Sequence, residues 1–188
     1  MPKFFIYPIY TLALFLIVLA VVPIKKIQTL SFYAIFFGAI VEIALIFLLT
    51  KVIGVGGYKN FGPFGFLGVP FFTPIAWVAF FILFLYFLPK KRPWNYIYIF
   101  AAAGYSVLFS NVLKNLGIFS WNMGELVIPY ILYLSWFSFF TWVYYKLTNN
   151  IQQQVVSEES ASSKFKGKTT NMRTPRLRIN FFTKNKLK

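Results

Sequence analysis

Five long runs of apolar residues most constrain what this chain of 188 residues can fold into. Each run is about 20 residues long, the length of a helix that crosses the hydrocarbon core of a bilayer. Lipid offers the backbone no hydrogen-bond partners, so a segment that crosses it has to be helical. The sequence therefore predicts an all-α integral membrane bundle of five transmembrane helices within residues 1–148. The predicted spans are residues 4–22, 30–50, 69–88, 94–113 and 125–145.

The composition excludes a soluble globular domain. Hydrophobic residues make up 59% of the chain and charged residues 12%, whereas soluble domains carry about 25% charged residues. The first run is longer than the apolar region of a signal peptide, about 7–15 residues, and no small-residue cleavage site follows it. We therefore expect residues 4–22 to be kept as a membrane helix.

Three residue types that support much of enzyme chemistry are missing. The chain has no Cys, no His and no Asp, which excludes thiolate nucleophiles, imidazole ligands and His-based triads. No glycine-rich phosphate-binding motif occurs either. We predict no cofactor and no metal. A non-enzymatic protein is favoured over an enzyme. The remaining carboxylates are Glu42, Glu125, Glu158 and Glu159.

Basic residues are distributed unequally between the two ends of the predicted bundle. The connections after the first and third spans hold five of them, and the tail from Lys146 onward holds ten more. These five are Lys25, Lys26, Lys90, Lys91 and Arg92. The opposite end holds four: Lys3, Lys51, Lys59 and Lys114. Because cytoplasmic segments are rich in Lys and Arg, we predict an outside N-terminus and a cytoplasmic C-terminus.

The last 40 residues differ sharply in composition from the rest. Residues 149–188 are rich in Ser, Thr, Asn, Gln and Lys and cannot bury enough apolar area to order themselves, so we predict a disordered basic tail. Attraction to anionic lipid headgroups is the first interpretation. An acidic protein partner and a purely topogenic role are alternatives, whereas nucleic acid is not expected because few aromatic residues are available for stacking. The candidate lipid contacts are Lys164, Lys166, Lys168, Arg173, Arg176 and Arg178.

Glu42 is the most informative single residue. It lies near the middle of the second span, where an acidic residue costs about 3 kcal/mol on insertion scales. It must therefore be protonated or face polar partners. Gly38 and Ala34 on the same helix face would let another helix approach closely. Two interpretations follow. Glu42 is either protonated and hydrogen-bonded between helices as a structural contact, or it lines a polar cavity that binds a substrate or passes protons.

Serine residues at similar depth are candidate partners. We predict a binding site formed by Glu42, Ser106, Ser110 and Ser135. Glu125 could add a second carboxylate only if the fifth span begins deeper than predicted. Otherwise we expect Glu125 to pair with Lys114 at the surface.

Residues 54–68 differ from the other connections. They contain six glycines and several aromatic residues, among them Tyr58. This composition predicts either a folded surface loop or shallow re-entrant segment, or an ordinary loop at the headgroups. In both cases we expect position 58 to be accessible from outside.

Several short patterns occur together between residues 30 and 147. They are Pro70–Pro74, the Leu88-Pro89 helix end with its basic cluster and Tyr96, Leu116–Phe119, and Trp121. In combination they resemble small, largely uncharacterised multi-span membrane proteins of Bacillus-like Gram-positive bacteria. The resemblance implies a bacterial plasma membrane. Ser110-Asn111 stand where those proteins often have an acidic residue, so the resemblance implies no activity.

A second set of residues suggests a different relationship. It comprises Glu42, Gly57-Tyr58, Gly62-Pro63, Gly68-Val69-Pro70, Pro74 and Trp77. This set is similar to a stretch of bacterial carotenoid hydratases. That similarity would imply water addition to a polyene, with Glu42 as an acid.

We therefore expect a multi-pass membrane protein that acts as a non-enzymatic accessory or binding subunit. Its predicted partners are the lipid bilayer, anionic headgroups and another membrane protein. A transporter or permease component that uses Glu42 is the second hypothesis, although no internal repeat supports a complete carrier. A lipid- or polyene-modifying membrane enzyme is the third.

Overall fold

The structure is a computed structural model that describes residues 2–66, 68–91 and 93–170, with side chains up to residue 149. Residues 1–144 form one compact unit, which contains every contact described below. Residues 145–188 form a second unit, whose helical backbone is described as far as Thr170. Five helices occur in the described residues: α1 (Ile6–Val21), α2 (Ile24–Ile53), α3 (Phe72–Phe87), α4 (Trp94–Asn115) and α5 (Val127–Thr170).

The helices lie at the five predicted runs. Four helical segments are long and apolar enough to cross a membrane: Lys3–Val21, Ile24–Ile53, Trp94–Asn115 and Val127–Asn149. Helix α3 has 16 residues and is therefore about 24 Å long, shorter than a hydrocarbon core of about 30 Å.

Two helices begin at other residues than the predicted spans do. Helix α2 begins at Ile24 rather than at residue 30, because the Pro23 carbonyl accepts hydrogen bonds from the amides of Lys26 and Ile27. Charged residues can be helical, so the helix extends in the N-terminal direction beyond the apolar run that defined the predicted span. Helix α3 begins at Phe72 rather than at residue 69, because Val69 and Pro70 form a strand.

The C-terminal helix extends beyond the predicted bundle. Helix α5 continues to Thr170, whereas we predicted disorder from residue 149. The segment 149–170 has no proline and one glycine, so its backbone can form local helical hydrogen bonds without burying apolar area. The predicted lipid contacts cannot be compared with the structure. The side chains of Lys164, Lys166 and Lys168 lie beyond the described side chains, and Arg173, Arg176 and Arg178 lie outside the described residues.

Four short strands lie at one end of the bundle: β1 (Gly56–Tyr58), β2 (Gly65–Phe66), β3 (Val69–Pro70) and β4 (Phe119–Trp121). Strands β1 and β4 pair antiparallel, with Tyr58 opposite Phe119, and β2 pairs with β3. We call residues 54–71 and 116–126 the cap. The cap begins where Gly54, at φ 74°, ends α2 in a left-handed conformation that favours glycine. This agrees with the interpretation of residues 54–68 as a folded loop.

Helix α3 lies at the centre of the bundle. It packs against α1 and α2, and its rings contact those of α4 and α5. The ring centroids of Phe84 and Phe137 are 5.0 Å apart, and those of Phe84 and Tyr98 are 5.2 Å apart. A Cβ at Gly38 would lie 2.7 Å from the Trp77 carbonyl oxygen, so α2 approaches α3 closely at this glycine, as the small-residue face predicted.

Candidate functional site

Glu42 lies in a regular helical segment of α2, Val41–Phe47, between two π-helical segments at Ile35–Ile40 and Leu48–Ile53. π-Helical turns are rare and occur often at functional sites. The Glu42 side chain is 5% exposed. The Tyr58 hydroxyl donates a hydrogen bond of 3.4 Å to its Oε1 atom, and the Trp77 side chain interacts with both groups.

A cavity of about 420 Å³ borders Glu42. Helices α2 and α5 form its walls and strands β1 and β4 form its roof. Phe140, which lines the cavity, also contacts the ring of Phe37, with centroids 4.5 Å apart. Aromatic side chains that line it are Tyr58, Phe119, Trp121, Tyr133, Trp136, Phe139 and Phe140.

The exposed residues that line this cavity lie on α5, which indicates that the cavity opens at the side of the bundle. Ser135 and Phe139 line it and are exposed on the flank of α5, and Phe139 is 56% exposed. The β1–β4 pair covers the end of the cavity that faces the cap. A molecule would therefore enter between helices rather than along the bundle axis.

A smaller cavity of about 50 Å³ lies on the other side of a wall formed by Tyr58, Phe119 and Tyr133, which line both cavities. Ser106 and Ser110 line the smaller cavity, and each is 4% exposed. These two spaces are thus separated by aromatic side chains, two of which have a hydroxyl group.

The polar side chains that line the smaller cavity differ in the hydrogen bonds they make. Ser110 accepts a hydrogen bond of 3.1 Å from Trp121 Nε1 and donates one of 2.8 Å to the Val107 carbonyl. The Tyr10 hydroxyl and the Thr73 Oγ1 atom are 3.2 Å apart. The Ser106 hydroxyl is buried and has no hydrogen-bond partner within the described part of the chain.

The structure separates the predicted binding residues into two groups. Glu42 and Ser135 line the larger cavity, whereas Ser106 and Ser110 line the smaller one. Glu125 lies elsewhere, since it forms an ion pair with Lys114, and its side chain is 57% exposed. The expectation of a surface pair for Glu125 is confirmed.

Aromatic residues around Glu42 were not predicted. Tyr133 and Trp136 lie three residues apart on one face of α5, and this helical spacing could have suggested a shared surface. Tyr58 offered no such signal, because its position depends on the pairing of β1 with β4. The Tyr58 hydroxyl bonds to Glu42 inside the bundle, and the accessibility of position 58 from outside stays a prediction.

Burial raises the pKa of the Tyr58 phenol well above its ordinary value, and the neighbouring charge of Glu42 raises it further. Tyr58 is therefore a neutral hydrogen-bond donor at physiological pH. Within the described residues, no group of three or more His, Cys, Asp or Glu side chains could hold a metal ion. The polar side chains that line the larger cavity are one carboxyl group, Glu42, and the hydroxyl or indole groups of Thr50, Tyr58, Trp121, Tyr133, Ser135 and Trp136.

No protein-family model matches this chain, and neither a curated protein nor a solved structure shows a significant match to it. Both resemblances noted from the sequence therefore stay predictions.

Proposed function

We propose that this chain is a multi-pass integral membrane protein that binds an apolar, membrane-borne molecule in the larger cavity without transforming it. The observation that supports this proposal most is the exposure of two lining residues, Ser135 and Phe139, on the flank of α5, because it indicates a sideways opening between α2 and α5. If both helices cross the bilayer, the opening faces the hydrocarbon core. A ligand dissolved in the membrane could then enter without passing through water.

Exposed apolar side chains support membrane insertion of the bundle. Leu19 is 65% exposed, Phe32 is 77% exposed and Leu108 is 65% exposed. A water-soluble protein rarely exposes large contiguous apolar patches, whereas lipid solvates such side chains favourably. Helix α3 is short, but the surrounding helices shield it, so we include it as the fifth span.

The predicted orientation places the cap outside the cell and the C-terminus in the cytoplasm of a bacterium. The cap end bears Lys3, Lys51, Lys59 and Lys114, whereas the remaining basic residues lie, in the sequence, in the connections after the first and third predicted spans and in the C-terminal segment. This difference supports the orientation through the bias of Lys and Arg toward the cytoplasm.

The size and surface of the larger cavity favour binding of an amphiphile. Its volume of about 420 Å³ falls within the range of about 300–1,000 Å³ that is usual for small-molecule pockets. Most of its wall is apolar, and among the described residues Glu42 is the only carboxyl group that lines it. The apolar wall would bind the body of the molecule, and Glu42 would fix its polar end.

Native mass spectrometry in detergent with 1-dodecanol as the probe tests this proposal. We expect wild-type protein to retain the probe. Ser135 lines the cavity and Ser138 does not, although both are exposed serines on α5. Ser135→Phe should fill the opening and lower occupancy, whereas Ser138→Phe should not. Absence of bound probe in the wild type, or equal occupancy in both variants, would contradict the proposal.

A transporter component is the second candidate, and the wall between the two cavities favours it. Rotation of the Tyr58 or Tyr133 side chain would join the larger cavity to the smaller one, where the Ser106 hydroxyl has no partner in the described residues. Reconstituted vesicles with a pH-sensitive dye inside test this function. Proton-linked uptake that disappears in Glu42→Gln would favour it over simple binding.

The remaining hypotheses have less support. General acid–base catalysis usually needs a second titratable group. Glu125 does not line the cavity and pairs with Lys114 at the surface, and burial keeps the Tyr58 phenol neutral. Action as an accessory subunit of another membrane protein stays a prediction.

A further inference from the structure

We infer that the larger cavity selects an amphiphile with a cationic ammonium head, which Glu42 and the surrounding aromatic rings would bind. This inference rests on the proposed binding function and specifies its ligand class. It comes from the charge balance of the cavity and from the arrangement of its rings.

The charge balance of the cavity is negative or neutral. No Lys or Arg lines it, and Glu42 has no basic partner within the described residues. Its hydrogen bond from Tyr58 is long, at 3.4 Å. A buried carboxylate is costly unless a cation or several donors compensate it, and an entering ammonium group would supply the missing charge. An anionic head, such as that of a fatty acid, would meet no basic side chain in the lining.

Aromatic rings surround the same space. Trp121 and Tyr133 have centroids 6.5 Å apart at 89°, and Tyr133 and Trp136 have centroids 6.4 Å apart at 17°. Strand β4 brings Trp121 to this position, and strand β1 brings Tyr58, which lies opposite Phe119, to the same cavity. The faces of Trp and Tyr rings attract cations, especially at sites shielded from water. Rings and carboxyl group therefore favour the same kind of head group.

A matched pair of probes tests the inference by native mass spectrometry at neutral pH. Dodecylamine is protonated under these conditions, and 1-dodecanol has the same chain and a neutral head. We expect dodecylamine to bind wild-type protein about tenfold more tightly or better. Glu42→Gln should reduce dodecylamine to the affinity of dodecanol, whereas Glu125→Gln, which changes the exposed carboxyl, should leave the preference unchanged.

The outcomes separate this inference from the proposed function. Equal binding of both probes to wild-type protein, with loss in Ser135→Phe, would overturn the cationic selectivity and leave the binding function standing. Binding of neither probe would overturn both. The wild-type comparison needs no substitution, so a folding defect in Glu42→Gln would not obscure the result. A preference that persists in folded Glu42→Gln would overturn the role of Glu42.

Discussion

Tyr7 connects the first helix to the cap. Its side chain is fully buried, and its hydroxyl shares one proton between two acceptors, the carbonyl oxygens of Lys59 at 2.7 Å and Ile118 at 2.8 Å. These residues belong to the two chain segments that form the cap. One hydroxyl on α1 thus helps to hold together segments that lie far apart in the sequence.

We predict that Tyr7→Phe lowers the free energy of unfolding by about 1–2 kcal/mol, because buried carbonyl groups lose a donor. Tyr105→Phe is the matched control, since Tyr105 is 55% exposed on α4. Thermal unfolding in detergent measures both variants. Equal midpoints would show that the Tyr7 hydroxyl is dispensable.

Tyr58 should make stability depend on alkaline pH. Burial and the charge of Glu42 raise the pKa of its phenol above that of the unfolded chain, which is about 10. The folded state therefore keeps a proton that the unfolded state releases. Its stabilising contribution is complete below about pH 10 and is lost as the pH rises above that value.

Unfolding midpoints measured between about pH 8 and pH 11 in wild type and Tyr58→Phe check this prediction. We expect the wild type to lose stability more steeply than the variant at the alkaline end. Parallel curves would mean that the phenol titrates normally in the folded protein.

The contact between α2 and α3 depends on one glycine. A Cβ at Gly38 would lie 2.7 Å from the Trp77 carbonyl oxygen and 2.9 Å from the Val78 amide nitrogen. Both are backbone atoms, so they cannot move aside as a flexible side chain can. The π-helical segment Ile35–Ile40 contains this glycine and directly precedes the helical segment of Glu42.

We predict that Gly38→Ala destabilises the protein by about 1–3 kcal/mol, the usual cost of overpacking. Gly104→Ala is the matched helical control, because its Cβ would have its nearest neighbour at 3.9 Å, on the Tyr130 side chain. That substitution should be neutral or slightly stabilising, since alanine favours helix. Equal unfolding midpoints for the two variants would contradict the close approach.

The helices themselves follow from local sequence, but their ends do not. Apolar run length predicted where α1 and α4 lie, because the cost of leaving backbone groups unpaired in lipid applies to every residue of a run. The ends of α2 and α3 depend on the Pro23 carbonyl and on the pairing of Val69 with Phe66. Hydropathy contains no information about either.

The orientation of the whole molecule can be tested because the chain has no cysteine of its own. Lys59 in the cap and Lys91 at the opposite end are both exposed. We predict that a membrane-impermeant maleimide labels Lys59→Cys in intact cells and labels Lys91→Cys only after permeabilisation. The reverse pattern would invert the orientation, and labelling of both in intact cells would contradict membrane insertion.

The sequence by itself determined the positions of the helices and the unusual place of Glu42. Both are local properties. A run of apolar residues predicts a helix, and a carboxyl group within that run is recognised by the free-energy cost of burying it in an apolar environment. Only the tertiary structure decided which side chains share a cavity with Glu42. That depends on the space left between α2 and α5 and on the pairing of residues 56–58 with residues 119–121. Tyr58 reaches Glu42 through this pairing, whereas Ser106 and Ser110 lie beyond the aromatic wall, because helix rotation and long-range pairing are set by packing of the whole bundle.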